Sequence, residues 1–385
     1  MTLLSRVREV AVVRRGNSSD RILFGTMLAL SGFGLLMIYS ATRNSGTFSM
    51  ERQMIFVAAG LIIFLLASNI DYREYRSIVP LVSIITLVLL MAVFLFDPVN
   101  NVNRWIPLGF FNLQPAEFAK VIVIVVLASL LAPSNRIDDV SPRDITWKKV
   151  GQAVAVVAVP SVLIYLQPDL GTTLVFGFIL LAMLFVAGAS WRQLLALVGS
   201  FVIGIAAAFQ FDLLSEYQMN RIRVLIDPTI DPQGIGYQLI QSKNAIGSGQ
   251  LFGKGLFQEG TLTDFNYVPE QETDFIFTAV GEQLGLIGGL LVLVAFVVII
   301  WRLLVISANA RDRFGALIAA GIAAMVMFHV FVNVGMTIGI MPVTGLPLPF
   351  LSQGGSFYMA MTLALGIANS IWLLRTPVPG ENQLT

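Results

Sequence analysis

The sequence predicts an all-α integral membrane protein of about ten transmembrane helices, with one long loop between spans seven and eight. Three observations predict it. Of 385 residues, 56% are hydrophobic and only 12% are charged, against about 25% charged in ordinary soluble domains. Apolar runs long enough to cross roughly 30 Å of hydrocarbon recur along the chain. Lys and Arg are dense in alternate connections and sparse between them, the bias that orients membrane helices.

A basic stretch, 1–21, precedes the first apolar run. That run is long enough to span, and no small-x-small cleavage pattern follows it, so it reads as an anchor rather than a leader. Spans are expected near 22–40, 53–70, 78–96, 116–132, 150–166, 170–187, 193–210, 275–301, 314–341 and 356–374. Each must be helical, because lipid offers no partner to an unpaired backbone group. Ten spans put both termini on one side. That side collects 16 of the 24 basic residues, Arg136, Arg143, Lys148 and Lys149 among them. The other side has seven (Arg43, Arg52, Arg104, Arg221, Arg223, Lys243 and Lys254), and Lys120 falls within a span. The expected organisation is a cytoplasmic tail 1–21, a membrane domain 22–375 and a cytoplasmic tail 376–385. The loop 211–274 is then extracytoplasmic, with nine acidic and four basic residues. Aromatic and apolar residues throughout it predict packing onto the membrane domain, not a separate domain.

Composition also excludes functions. A net charge of +1 supplies no field for nucleic acid. The absence of cysteine removes thiol nucleophiles, thiolate metal sites and disulfides. A single histidine, His329, rules out a multi-histidine metal site.

Polar residues within apolar spans are expensive and need a reason. Glu117 and Lys120, in Gln114-Pro115-Ala116-Glu117-Phe118-Ala119-Lys120, share a helix face and can pair. They either orient the helix or contact a headgroup. Arg104 precedes Trp105 and is an interfacial anchor or a phosphate ligand. Asp169, in Gln167-Pro168-Asp169-Leu170-Gly171-Thr172-Thr173, stands where an N-cap would stand. The glycine-rich run Ala245-Ile246-Gly247-Ser248-Gly249-Gln250-Leu251-Phe252-Gly253-Lys254-Gly255 is either a flexible hairpin or a place where amides approach phosphate oxygens. Asp274 closes Pro269-Glu270-Gln271-Glu272-Thr273-Asp274 at the mouth of the eighth span, with Glu282 inside that span. It either caps the helix or, at a partly desolvated rim, acts as a general base. The run 341–356, with three prolines, three glycines and Ser352, cannot be a regular helix and reads as a turn sheltered by the bundle. His329 is expected to be satisfied by a neighbouring amide, such as Asn333, or by a carbonyl.

In order along the chain, the runs 114–120, 167–173, 245–255, 269–275 with Glu282-Gln283-Leu284-Gly285, and 341–356 resemble the SEDS family of bacterial membrane proteins (shape, elongation, division and sporulation). The resemblance covers about 20 to 375 and is closer to the RodA type than to the FtsW type, on Gln241-Ser242-Lys243 and Phe252-Gly253-Lys254-Gly255. Gln250, Phe257 and Glu272 depart from it, standing where Gly, Gly and His are common, and Gln353 stands where Tyr is common.

The resemblance implies a peptidoglycan glycosyltransferase of the bacterial inner membrane. It implies polymerisation of lipid II, release of undecaprenyl pyrophosphate with inversion at the anomeric carbon, and a role in elongation and shape. On that reading Asp274 is the base. Arg104, Arg221, Arg223, Lys243 and Lys254 are the cations available to the pyrophosphate, and Glu117, Lys120, Asp169, Glu282 and Ser352 are supporting polar residues. A divalent cation, magnesium or manganese, is a further means of neutralising the leaving group, although no metal-ligand cluster is visible in the sequence. The implied partners are a class B penicillin-binding protein and other membrane proteins of the elongation machinery. A flippase for the lipid-linked precursor and a non-catalytic scaffold for the transpeptidase are the alternatives.

Overall fold

The computed structural model describes residues 18–44, 49–98, 102–132, 145–211 and 216–375. The tail expected at 376–385, most of the one expected at 1–21, and Arg136 and Arg143 lie outside the described residues. Most of the rest is helix, with a single two-stranded hairpin.

The order is α1 (Arg21–Thr42), α2 (Ser49–Asn69) and α3 (Tyr75–Ala92), the last extended by a 3₁₀ turn at each end. A two-stranded antiparallel hairpin, β1 (Ile106–Pro107) with β2 (Asn112–Leu113), leads into α4 (Pro115–Leu131). Then come α5 (Trp147–Leu166), α6 (Leu170–Ala187) and α7 (Trp191–Gln210). The long loop folds into two short helices, α8 (Glu216–Ile226) and α9 (Ile235–Ser248). The chain finishes with α10 (Ile276–Ala308), α11 (Arg313–Ile338) and α12 (Gly355–Leu373). Local chemistry sets many boundaries. Asp20, Thr146, Asp169 and Asp312 each accept a first-turn amide with the side chain, and Ser190 and Gln193 close a capping box on α7.

Among the described residues nine helices are long and apolar enough to cross a membrane: α1 to α3, α5 to α7 and α10 to α12. The remaining expected span, 116–132, coincides with α4. Its 17 residues cover about 25 Å at 1.5 Å per residue, the short end of the range for a span.

The centre of the bundle is α11 and α12, where 78% of the most apolar stretch is buried, against 11% for α7. Helix α12 lies along α2, and α11 packs against α10, α6 and α4. The α2–α12 contact is close because α12 has glycine at 366. A Cβ there would sit 2.8 Å from the Phe64 carbonyl oxygen, so the two backbones touch, as small residues allow in lipid. Helix α7 is buried only near its start, at Gln193 and Leu194, and otherwise presents apolar side chains such as Phe201, Val202 and Ile203 outward.

Helix α10 is broken at Gly285, where φ is +65° and ψ is −163°. The glycine-rich run closes the break. The amides of Leu286 and Ile287 donate to the carbonyls of Gln250 and Leu251 at 2.9 and 3.2 Å. In return Lys254 and Gly255 donate to Glu282 and Gln283 at 2.9 and 3.0 Å. A Cβ at 249 would fall 1.9 Å from the Gly281 carbonyl oxygen, and one at 253 would fall 2.2 Å from that of Gln283. These glycines therefore serve backbone-to-backbone approach. The run is neither the flexible hairpin nor the phosphate cradle that the sequence left open, because the amides of Gly253, Lys254 and Gly255 are already donated to protein carbonyls.

Candidate active site

Four of the five sequence motifs meet at the loop end of the bundle, around Asp274. Its turn is built by the Glu270 carbonyl, which accepts the amides of Thr273, Asp274 and Phe275 at 3.0–3.3 Å. Asp274 does not cap α10. The N-cap is Phe275, without a side-chain bond, and among the described residues the Asp274 carboxylate takes no hydrogen bond. The residue is half-buried, but protein surrounds the carboxyl closely. Loss of hydration, first, and then the Glu270 carboxylate push its pKa from 3.8 up to about 7; Arg221 and Arg104 pull the other way, and Asp169 adds a smaller upward push.

Those same charges locate the surrounding motifs. Arg104, just before β1, donates Nε–H to the Gln167 carbonyl at 3.1 Å and a second N–H to the Pro168 carbonyl. Asp169 caps α6 through Oδ1, which accepts the Thr172 amide at 3.1 Å, while Oδ2 accepts from Gln114 Nε2 at 3.4 Å. Gln114 in turn donates its amide to Ser356 Oγ at 2.9 Å. Below this rim Glu117 and Lys120 form a buried ion pair at 2.7 Å. Lys120 Nζ also lies 3.0 Å from His329 Nε2. With that nitrogen accepting from the ammonium, His329 Nδ1 carries the hydrogen and donates to the Pro347 carbonyl at 3.2 Å.

The segment between α11 and α12 passes beside the carboxylate. A Cβ at Gly345 would stand 3.1 Å from Asp274 Oδ2. Ser352 fixes this segment from within, with Oγ accepting the Leu348 amide at 2.8 Å. The Gln353 amide ties it to the Glu272 carbonyl at 2.8 Å.

The expected cations divide. Arg104 and Arg221 act on Asp274; Arg221 is largely buried on α8. Arg223, on the same helix, is exposed. Lys243 is exposed on α9, with its side-chain end over Gly339 at the C-terminus of α11. Lys254 is engaged elsewhere, 2.9 Å from Glu282. Glu282 is fully buried and also accepts from Ser248, Leu262 and Thr263. It is the hub that folds the loop onto α10. Among the described residues no three His, Asp or Glu side chains converge as a metal site.

The sequence did not pick out Gln114, Glu270, Asn333 or Gly345 as members of this site. It expected His329 to be satisfied by a neighbour, and the Pro347 carbonyl is one, but Lys120 was not foreseen. Glu270 lies four residues from Asp274 and could have been found by that spacing; the others carry no such signal, because their contacts join segments as much as 242 residues apart.

Comparison with known proteins is consistent with this arrangement. The family model FTSW_RODA_SPOVE, described as "Cell cycle protein", matches residues 20–375. The Escherichia coli protein named peptidoglycan glycosyltransferase MrdB is 40% identical over 349 residues, covering 90% of this chain and 91% of its own length. Stage V sporulation protein E of Bacillus subtilis is 37% identical, covering 91% and 96%. Among solved structures, a chain of a peptidoglycan synthase complex, described for its coordination of polymerisation and crosslinking, matches with a TM-score of 0.77 at 26% identity, covering 92% and 98%. The rod shape determining protein RodA of Thermus thermophilus matches at 0.68 and 26%, covering 94% and 99%.

Proposed function

The chain belongs to the FtsW, RodA and SpoVE family of cell cycle proteins, and on that premise we propose that it is a peptidoglycan glycosyltransferase whose general base is Asp274. The observation that carries the assignment of the base is the Asp274 carboxyl itself: enclosed, free of hydrogen bonds among the described residues, ringed by Arg104, Arg221, Asp169 and Glu270, and shifted to about 7. A base poised near the working pH is the one best suited to proton transfer.

The substrate is lipid II. The acceptor's sugar hydroxyl attacks the anomeric carbon of the donor. Asp274 takes the hydroxyl proton as the new C–O bond forms, and the bond to undecaprenyl pyrophosphate breaks with its electron pair leaving on the pyrophosphate. Attack from the face opposite the leaving group inverts the anomeric centre. General-base assistance of this kind is worth roughly 10²–10⁴ in rate. Charge growing on the leaving group calls for cations, and Arg104 and Arg221 are the two whose fields reach Asp274. Lys254 is better read as the partner of Glu282.

Counting α4 as a span gives ten. The basic-residue bias then puts both termini in the cytoplasm, with the tails and membrane domain divided as the sequence reading has it, and the loop and Asp274 at the outer face, where a polymer destined for the wall must be made. A penicillin-binding transpeptidase is the partner, a reading supported by the resemblance to a chain of a complex that both polymerises and crosslinks.

The test is polymer formation from labelled lipid II by purified wild type and Asp274→Asn, each alone and with a partner whose transpeptidase is inactivated. Polymer from wild type only is expected. A folded Asn variant with near wild-type activity overturns the assignment.

A further inference from the structure

We propose that Asn333 is a positioning residue for the reaction, clamping the turn that carries Asp274 to the segment that shapes the space beside its carboxylate. This rests on the reading of Asp274 as the base. Asn333 lies in the last third of α11 and is fully buried. Its Nδ2 spends both hydrogens on main-chain carbonyls of two other segments: Asp274 O at 2.8 Å and Leu346 O at 2.8 Å. The first is the backbone of the base itself. The second belongs to the residue after Gly345, the one glycine at which a Cβ would press on Asp274 Oδ2. One planar amide therefore bridges the backbone of the base and the wall it faces.

A neighbouring bond strengthens the clamp. One helical turn earlier, His329 donates to the Pro347 carbonyl at 3.2 Å, so α11 holds two successive carbonyls of the same segment. His329 is itself fixed by Lys120, which ties this ladder to the Glu117 pair. Among the described residues the Asn333 Oδ1 atom has no hydrogen-bond partner. A buried amide that leaves its oxygen unmatched is held in place for its donors, which supports a selective use of the NH₂ group.

The clamp accounts for a feature that burial alone does not. Among the described residues Asp274 takes no side-chain hydrogen bond, so its main chain does much to place the carboxylate; outside its own turn that chain is held at Asp274 by Asn333 and two residues earlier by the Gln353 amide. Losing the anchor lets the carboxylate move outward toward water while the fold of α11 persists, because α11 is buried against α10, α6 and α4 along its length.

The experiment measures polymerisation kinetics and pH profiles for wild type, Asn333→Ala and the isosteric Asn333→Asp, with Asp274→Asn alongside. The titratable and charged groups around the base are Glu270, Arg221, Arg104 and Asp169, and all are kept. The expected result is a kcat at least tenfold lower in both variants, with KM within about threefold. In Asn333→Ala the acid limb of the profile should move to lower pH as the carboxyl gains water; in Asn333→Asp the added negative charge should move it to higher pH. Unchanged kcat, or a uniform loss with no movement of either limb, overturns the proposal and leaves Asn333 structural. Failure of both variants to yield folded protein also assigns it a purely structural role. If Asp274→Asn proves active, the base assignment fails first, and the two failures are told apart.

Discussion

Activity should fall with acid along a limb set by Asp274. The group must be ionised to accept a proton, and its pKa is raised from 3.8 to about 7, so activity is present above that value and lost below it. With a midpoint near 7, about nine-tenths of the enzyme carries the active base at pH 8 and about one-tenth at pH 6. An ordinary carboxylate would leave the rate flat across that range. Glu270 supplies the largest electrostatic push upward, so Glu270→Gln should move the limb to lower pH. Arg221 pulls downward, so Arg221→Gln should move it to higher pH, whatever it does to substrate affinity. Initial rates of glycan formation from labelled lipid II between pH 5 and 9, in a buffer series of constant ionic strength, read the midpoint directly. A profile level from pH 5 to 8, or one indifferent to Glu270→Gln, refutes the reasoning.

The same shift affects stability. The folded state holds the Asp274 proton more tightly than the unfolded chain, so folding loses stability as pH rises from about 4 through about 7. Asp274→Asn should therefore melt higher than wild type at pH 8, and the difference should shrink toward pH 4. Gln250 and Phe257 sit at φ +51° and +60°, where side chains are disfavoured, and both positions commonly hold glycine in the family the sequence resembles. Gln250→Gly should stabilise by about 1 kcal/mol, read from thermal or denaturant unfolding in detergent. Gly249→Ala would drive a methyl into the Gly281 carbonyl and should destabilise by about 1–3 kcal/mol or more. Lys254→Met leaves the buried Glu282 without its countercharge; the loss should be about 1–3 kcal/mol, moderated by the partial exposure of Lys254, and it should appear in stability before catalysis.

The membrane helices were legible because lipid enforces a simple rule on composition. Helix α6 begins and ends where its apolar run does, and Asp169 announces its cap. The eighth span is harder. Its pattern is interrupted by Glu282 and Gln283 just before Gly285, but hydropathy does not turn that interruption into a break that depends on Gln250 and Leu251 arriving from another part of the chain. Glycine spacing left a flexible hairpin and a phosphate cradle both open, and the actual close approach, to the backbone of α10, was neither. Asp274 could be nominated from its place at a helix mouth. Its neighbours could not, because Gln114, Asn333 and Gly345 become a site only through tertiary packing. Lys254 and Arg221 look alike as cations in a loop, yet one meets a buried carboxylate and the other the base, a distinction made by the fold alone.

The splice at Gly285 gives α10 an unusual internal clock. The amides of Leu286 and Ile287 depend for their hydrogen bonds on a loop, not on the preceding turn of helix. Their exchange with solvent deuterons therefore measures undocking of residues 250–251, while exchange at amides farther along the helix measures opening of α10 itself. Two adjacent probes, native to the chain and requiring no label, can thus time the motion of the loop relative to the bundle that carries Asp274.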